Sequence, residues 1–205
     1  MEGSKTAFTV GLGSVGIGFA GGLIIGSIAG YFGGWIDELL MRIIDALLAF
    51  PGILLALVLV TIFQPNLQMT VIAIGIMSIP IFSRVIRSGF LKYKQMDFVR
   101  AARNFGASHA RIIFRYILPN TFSSVIVTAS LSFSTAILIE AALSYLGLGV
   151  QPPDPSWGQM LNEAQSYTLK APWYTLAPGI MLTLTVLGFN LLGDGIRDLR
   201  DRTDH

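Results

Sequence analysis

Three groups of residues in this chain have types and spacings that could do chemistry. Gly11, Gly13 and Gly16 form a Gly-x-Gly-x-x-Gly run, and Asp37 follows about twenty residues later, where a dinucleotide site would place its ribose-binding carboxylate. That chemistry needs a strand, a tight turn and a helix opening onto a pyrophosphate. Here the glycines lie inside a charge-free apolar stretch from Phe8 to Phe32, so the cofactor reading is set aside and no cofactor is expected. The second group would be metal ligands or nucleophiles. The chain has no cysteine and only two histidines, His109 and His205, which removes thiolate chemistry and leaves almost nothing for an imidazole site. No catalytic nucleophile–base pair stands out, and no Gly-x4-Gly-Lys-Ser/Thr loop is present to hold ATP, so the chain is not expected to be an enzyme. The third group is the segment Phe98–Asn120, FVRAARNFGASHARIIFRYILPN. It gathers Arg100, Arg103, Arg111 and Arg115 and stops at Leu118-Pro119.

The elements that must position these residues are membrane spans. Hydrophobic residues make up 53 % of the chain and charged residues 13 %, roughly half the charged share of a soluble domain. A bilayer core about 30 Å thick takes about 20 apolar residues of helix. Residues 8–32, 41–63, 119–139 and 173–193 meet that requirement, and 69–83 begin a further span that runs on towards Arg84 and Arg87. The expected fold is therefore all-α and polytopic, one membrane domain over 1–205 with about five transmembrane helices. The net charge of +2 gives no reason to expect a nucleic-acid partner.

The basic residues orient the spans. Arg84, Arg87, Lys92, Lys94, Arg100, Arg103, Arg111 and Arg115 fall between the third and fourth spans, and Arg197, Arg200 and Arg202 follow the fifth. Loop 142–172 has only Lys170. Lys and Arg are in excess on the cytoplasmic side, so 96–118 and the C-terminus are expected inside and 142–172 outside. With five spans that puts Met1 outside, which leads to the expectation of a further span missing from the N-terminal side.

Within this frame, Gly18, Gly22, Gly26 and Gly30 recur every fourth residue, a small-residue stripe that lets another helix approach closely. Arg42 and Asp45, three apart, are expected to pair on one helix face. Glu140 lies about 31 Å of helix beyond Pro119, near the outer surface and not at mid-membrane. Pro152, Pro153, Pro155 and Trp157, followed by a short helical pattern over 158–165, read as an interfacial plug anchored by Trp157 and Trp173.

The arginine segment reads as two short helices. Phe98, Ala101, Ala102 and Phe105 form an i, i+3, i+4, i+7 stripe with Arg100 and Arg103 beside it. Gly106 ends that helix, and a bulky residue there is expected to distort the turn. Ser108 can cap a second helix with Ile112, Ile113, Tyr116 and Ile117 on its buried side, and Pro119 fits the first turn of the next span. The residues alone leave two readings open, an ordinary basic loop or an apolar ridge edged with cations that docks in another protein's groove.

The spacing Ala101-Ala102-x3-Gly106-x9-Tyr116-x-Leu118-Pro119 resembles the EAA loop of ATP-binding-cassette importer permeases, with Arg100 where that family has Glu and Tyr116 where it has Ile. Three further blocks, Ala29–Pro51, Glu140–Leu161 and Ala177–Asp201, are similar to the C-type subunit of dipeptide, oligopeptide and nickel permeases. The family's C-terminal Asp-Pro-Arg appears here as Asp201-Arg202-Thr203. Such subunits are usually longer at the N-terminus. The resemblance implies a coupling helix over Phe98–Phe105, with an ATPase-docking set of Phe98, Arg100, Ala101, Ala102, Arg103, Phe105, Gly106, Leu118 and Pro119. It implies a multi-pass permease of a bacterial or archaeal inner membrane that imports di- or oligopeptides, or another small solute such as nickel or glutathione. The implied partners are a second homologous permease subunit, two ATP-binding subunits and an extracytoplasmic solute-binding protein, with lipid around them. The rival from another class, a secondary transporter or channel acting alone, predicts an ion-coupling carboxylate inside a span.

Overall fold

A computed structural model describes residues 2–203 as backbone and 2–198 with side chains, so the expectations placed on Arg200, Arg202, the Asp201-Arg202-Thr203 stretch and His205 lie outside the described side chains. All regular elements among the described residues are helices. They are α1 (Glu2–Phe32), α2 (Gly34–Ala49), α3 (Gly52–Phe63), α4 (Leu67–Tyr93), α5 (Asp97–Asn104), α6 (His109–Arg111), α7 (Leu118–Tyr145), α8 (Trp157–Ala164) and α9 (Pro172–Thr203). A π turn over Ile112–Ile117 joins α6 to α7, giving one helix from His109 to Tyr145. Four helices are long and apolar enough to cross a membrane: α1, α4, the α6–α7 helix and α9.

The predicted second span is corrected. Residues 41–63 do not form one straight helix; α2 and α3 meet at an 84° bend. Pro51 has no amide proton and disfavours helical backbone at the residue before it, and Phe50 is extended with φ −85° and ψ 133°. Alone, the twelve residues of α3 reach about 18 Å, short of a bilayer core. The 34–63 segment is thus a broken span or a re-entrant loop. The third span runs on past the apolar stretch 69–83 as expected: α4 is capped by Asn66, whose Oδ1 accepts the Met69 N–H at 2.9 Å, and carries Arg84, Arg87 and Lys92 on its last turns.

The centre of the fold is the seam between α1 and α4. Gly18, Gly22, Gly26 and Gly30 are all buried and all face α4. A Cβ built on Gly22 would stand 2.3 Å from Phe82 Cβ and 2.9 Å from the Ser83 backbone nitrogen; at Gly26 it would stand 2.5 Å from the Ser83 carbonyl oxygen. The two helices touch backbone to backbone, which only hydrogen side chains allow. Below this seam Tyr31, Phe82, Ile86 and Phe90 share a core with Val99, Ile112, Ile117 and Val125. That core binds α5 and the start of the α6–α7 helix to the bundle.

At the opposite end α7 is pinned by Phe133, which lies against Gly11 and stacks on Phe189 of α9 with centroids 4.0 Å apart. The segment after α7 folds back over this end. Gly147, at φ +78°, closes a helix-ending turn in which Leu148 N–H reaches the Leu143 carbonyl at 2.9 Å. Ser144 donates to Glu140 Oε1 at 2.7 Å and accepts the Val150 N–H at 3.0 Å. Ser156 caps α8 through the Gln159 N–H at 3.0 Å. Trp157 corrects an expectation: it is no interfacial anchor but is buried against Gly3 of α1. Trp173 is exposed. Glu140 is spent on holding the folded-back segment, and its carboxylate is buried.

Candidate docking helix and the ion-paired end of the bundle

Helix α5 is short, yet three local features fix it. Its underside is Val99 and Ala102, both buried, and Val99 sits in the core formed with Phe82 and Ile112. Its end is a two-bond glycine turn: Gly106 N–H donates to the Arg103 carbonyl and Ala107 N–H to the Ala102 carbonyl, each at 3.0 Å. Gly106 has φ +78°, the left-handed region that side chains disfavour. A Cβ there would meet nothing within 4 Å, so any residue but glycine is strained by its backbone and not by its bulk. Ser108 then accepts the Arg111 N–H at 3.4 Å and starts α6.

What α5 presents outward is an uncovered ridge. Phe98 is 41 % exposed and Phe105 91 %, with Ala101 exposed between them. Arg100 and Arg103 are both exposed and lie off this ridge on the same helix. Arg100 has only a loose 3.7 Å contact to Asp97, which is itself exposed. Arg103, Arg111 and Arg115 have no ion-pair partner among the described residues. Ala102 lies beneath the ridge, Gly106 at its end, and Leu118 and Pro119 one helix further on, half-buried and exposed respectively. Pro119 does not break the chain into a new helix. The wide π turn before it, with Leu118 N–H reaching the Ile113 carbonyl, absorbs the missing donor and keeps residues 109–117 continuous with the span.

Charged contacts that sequence spacing did not reveal brace the same end of the bundle. Asp37 of α2 grips Arg87 of α4 in two contacts, with Nη2 to Oδ2 at 2.6 Å. The expected Arg42–Asp45 pair is corrected: Arg42 donates to Glu38 at 2.6 Å, and Asp45 accepts from Arg84 of α4 at 2.6 Å. Geometry explains the exchange, since α4 offers Asp45 a guanidinium from across the bend while Glu38 is one full turn before Arg42. Lys94 donates to the carbonyls of Gly30 and Tyr31 at 3.1 and 3.3 Å, capping the end of α1 where free carbonyls collect. Tyr31 OH and His109 Nδ1 are 2.6 Å apart, tying α1 to the start of α6.

The two inter-helix ion pairs should differ sharply. The Arg87 and Asp37 side chains are 33 % and 15 % exposed, against 56 % and 59 % for Arg84 and Asp45. Asp37→Ala is expected to destabilise the chain by about 1–3 kcal/mol, because it strands a half-buried guanidinium. Asp45→Ala should cost under about 1 kcal/mol. Thermal unfolding of the two variants in one detergent checks this; equal shifts would mean that the Asp37 contact carries no special weight.

The chain has relatives among known transport proteins. A family profile described as binding-protein-dependent transport system inner membrane component matches residues 22–203. The dipeptide transport system permease protein DppC of Alkalihalophilus pseudofirmus is 47 % identical over 199 residues, covering 97 % of this chain and 66 % of that protein. The glutathione transport system permease protein GsiD of Pectobacterium atrosepticum is 46 % identical over 201 residues, covering 98 % and 67 %. The chain thus spans about two thirds of the length of these curated relatives. Among solved structures, the inward-facing MetNI methionine ABC transporter matches with a TM-score of 0.79 at 17 % identity, covering 96 % of this chain and 94 % of that one. An amino acid ABC transporter matches with a TM-score of 0.67 at 19 % identity, covering 92 % and 87 %. These two likenesses establish that the chain has the same fold as the matched chains of those transporters. Matched from the middle of α1 to the end of α9, this polytopic helical chain belongs to the family of binding-protein-dependent transport system inner membrane components.

Proposed function

We propose that this chain is one membrane-embedded permease subunit of an ATP-driven importer for di- or oligopeptides or a similar small solute. The observation that carries the reading is the α5 ridge. Phe98, Ala101 and Phe105 stand uncovered on a helix fastened from below by Val99 and Ala102, and the same short helix exposes Arg100 and Arg103 away from the ridge. An isolated eight-residue helix is not stable in water, so the bundle holds this one in place for something outside the chain to cover. In the proposed assembly an ATP-binding subunit takes the ridge into a groove, and the continuous α6–α7 helix passes the movement into the membrane. ATP is hydrolysed in the two partner subunits, and this chain does no chemistry itself.

A second, homologous permease subunit completes the pathway. The ridge and the C-terminus face the cytoplasm, and the folded-back segment 146–171 faces outward, where a solute-binding protein delivers its cargo. Dipeptide and glutathione, the solutes in the relatives' names, are both short peptides with free carboxylates, which favours that solute class over nickel. The working assay is co-purification with the ATP-binding subunit encoded beside this chain. Reversal of both Arg100 and Arg103 to Glu should lower its recovery about tenfold or more, as loss of charged interface contacts does. Undiminished recovery would leave the arginines as an orientation signal alone and would sink the docking role.

A further inference from the structure

The groove between α4 and α7 stands apart from the other outward faces of the helices, and the cations of α4 explain why. Of its four neighbouring basic residues, two are used by the scaffold: Arg87 is clamped to Asp37, and Lys94, just past the helix end, caps α1. The other two are spare. Lys92 has no carboxylate partner among the described residues, only the ring of Tyr93 at 5.3 Å. Arg84 holds the exposed Asp45 through a single 2.6 Å contact, which leaves most of its donors unused. Both spare cations line a recess of about 370 Å³ whose other walls include Ser88, Gly89, Tyr93 and Ser124.

This recess continues along the membrane. Val85 is a shared wall with a second cavity of about 250 Å³ between the same two helices. That cavity is mainly apolar, but Ser78, Thr128, Ser132 and Thr135 also face it. Four hydroxyls therefore interrupt an otherwise apolar groove. Three of them donate to their own helices, Ser78 to Ile74, Thr128 to Ser124 and Thr135 to Leu131, at 2.9 to 3.0 Å. Their oxygens stay able to accept from an N–H passing by. The groove thus runs from an apolar, acceptor-lined middle to a cationic end. That polarity matches a molecule with amide N–H groups and an anionic terminus.

We infer that the α4–α7 groove is a solute-facing surface, and that its recess at Lys92 and Arg84 binds the anionic group, a carboxylate or phosphate, of a small solute. The inference rests on the importer reading and adds to it the anion and the residues that meet it. The same cations could hold a lipid headgroup, and the test separates the two sources.

The direct measurement is amine labelling of Lys92, read by mass spectrometry on the full chain in phosphatidylcholine nanodiscs, with Lys94 as internal reference. The probes are dialanine, dialanine amide and inorganic phosphate. Dialanine and phosphate should slow Lys92 labelling severalfold and the amide should not. Equal protection by the amide, or none by any probe, overturns the site. Protection that appears only when phosphatidylglycerol is in the disc, with no further effect of dialanine, overturns the solute in favour of lipid. In the assembled importer, Lys92→Gln should reduce the ratio of dialanine to dialanine-amide uptake about tenfold, the effect of one charge-assisted contact, and Lys92→Arg should restore it. A ratio that does not move overturns the inference. Uptake that proceeds without ATP overturns the importer reading instead, and the labelling result stands independently of it.

Discussion

Gly22→Val abolishes recovery of the folded chain, and Gly22→Ala lowers its thermal stability strongly; these are the largest effects expected of any single substitution described. At Gly22 the intruding carbon meets Phe82 Cβ at 2.3 Å and backbone atoms of α4 at 2.9 Å. A flexible side chain can swing aside, but helix backbone cannot. The helices must separate along the seam and give up contacts on both sides of the substituted residue. Overpacking of a well-filled core costs typically about 1–3 kcal/mol, and rigid backbone on one side pushes Gly22→Ala to the top of that range or beyond. Gly16, on the same helix, has nothing within 4 Å of its Cβ position. Gly16→Ala should leave stability unchanged or raise it slightly, since alanine is the better helix former. Size-exclusion profiles and unfolding temperatures in detergent compare the pair. A Gly22→Ala protein as stable as Gly16→Ala would show that the α1–α4 contact is looser than described.

The second large effect separates folding from docking. Phe98→Asp with Phe105→Asp should leave the unfolding temperature of the chain nearly unchanged, because both rings lie on the open side of α5. It should lower affinity for the ATP-binding subunit by two to three orders of magnitude, as loss of aromatic anchors at the centre of an interface does. Val99→Asp should do the reverse first: it puts a charge into the Phe82–Ile112 core and unfolds the element before docking can be asked about. Titration of the labelled subunit onto the chain in nanodiscs gives both numbers. Unchanged affinity in the double variant, with the chain folded, would remove the ridge from the interface.

The glycine stripe was legible because a four-residue repeat has one physical meaning inside an apolar run. Nothing local named the helix that would fill it. Hydropathy also found the apolar segments, but a sum over a window is blind to connectivity. It joined 41–63 across Phe50-Pro51, whose backbone preference breaks the helix there. Trp157 misled for a related reason. Its place in a loop beside a span suited an interfacial belt, while its burial depends on Gly3, more than 150 positions away. In the arginine segment the spacing gave an apolar stripe but not which side of it the bundle would keep. Ala102 turned inward with Val99, a residue the stripe did not include, and Phe98 and Phe105 were left out. The Asp37–Arg87 clamp was beyond local reading altogether, because its partners lie on different helices and only the fold brings them together.

The uninterrupted helix from His109 to Tyr145 also has the mechanics of a lever with unequal arms. One side-chain pivot on it is Phe133, wedged between Gly11 and Phe189. At 1.5 Å per residue the arm from Phe133 to His109 is about 36 Å and the arm to Tyr145 about 18 Å. A tilt of about 10° around that ring would carry the α6 end some 6 Å one way and the α8 end about 3 Å the other, by the same helix rise. The gearing is two to one. A modest push applied at the long arm therefore arrives at the far mouth halved in travel and doubled in force.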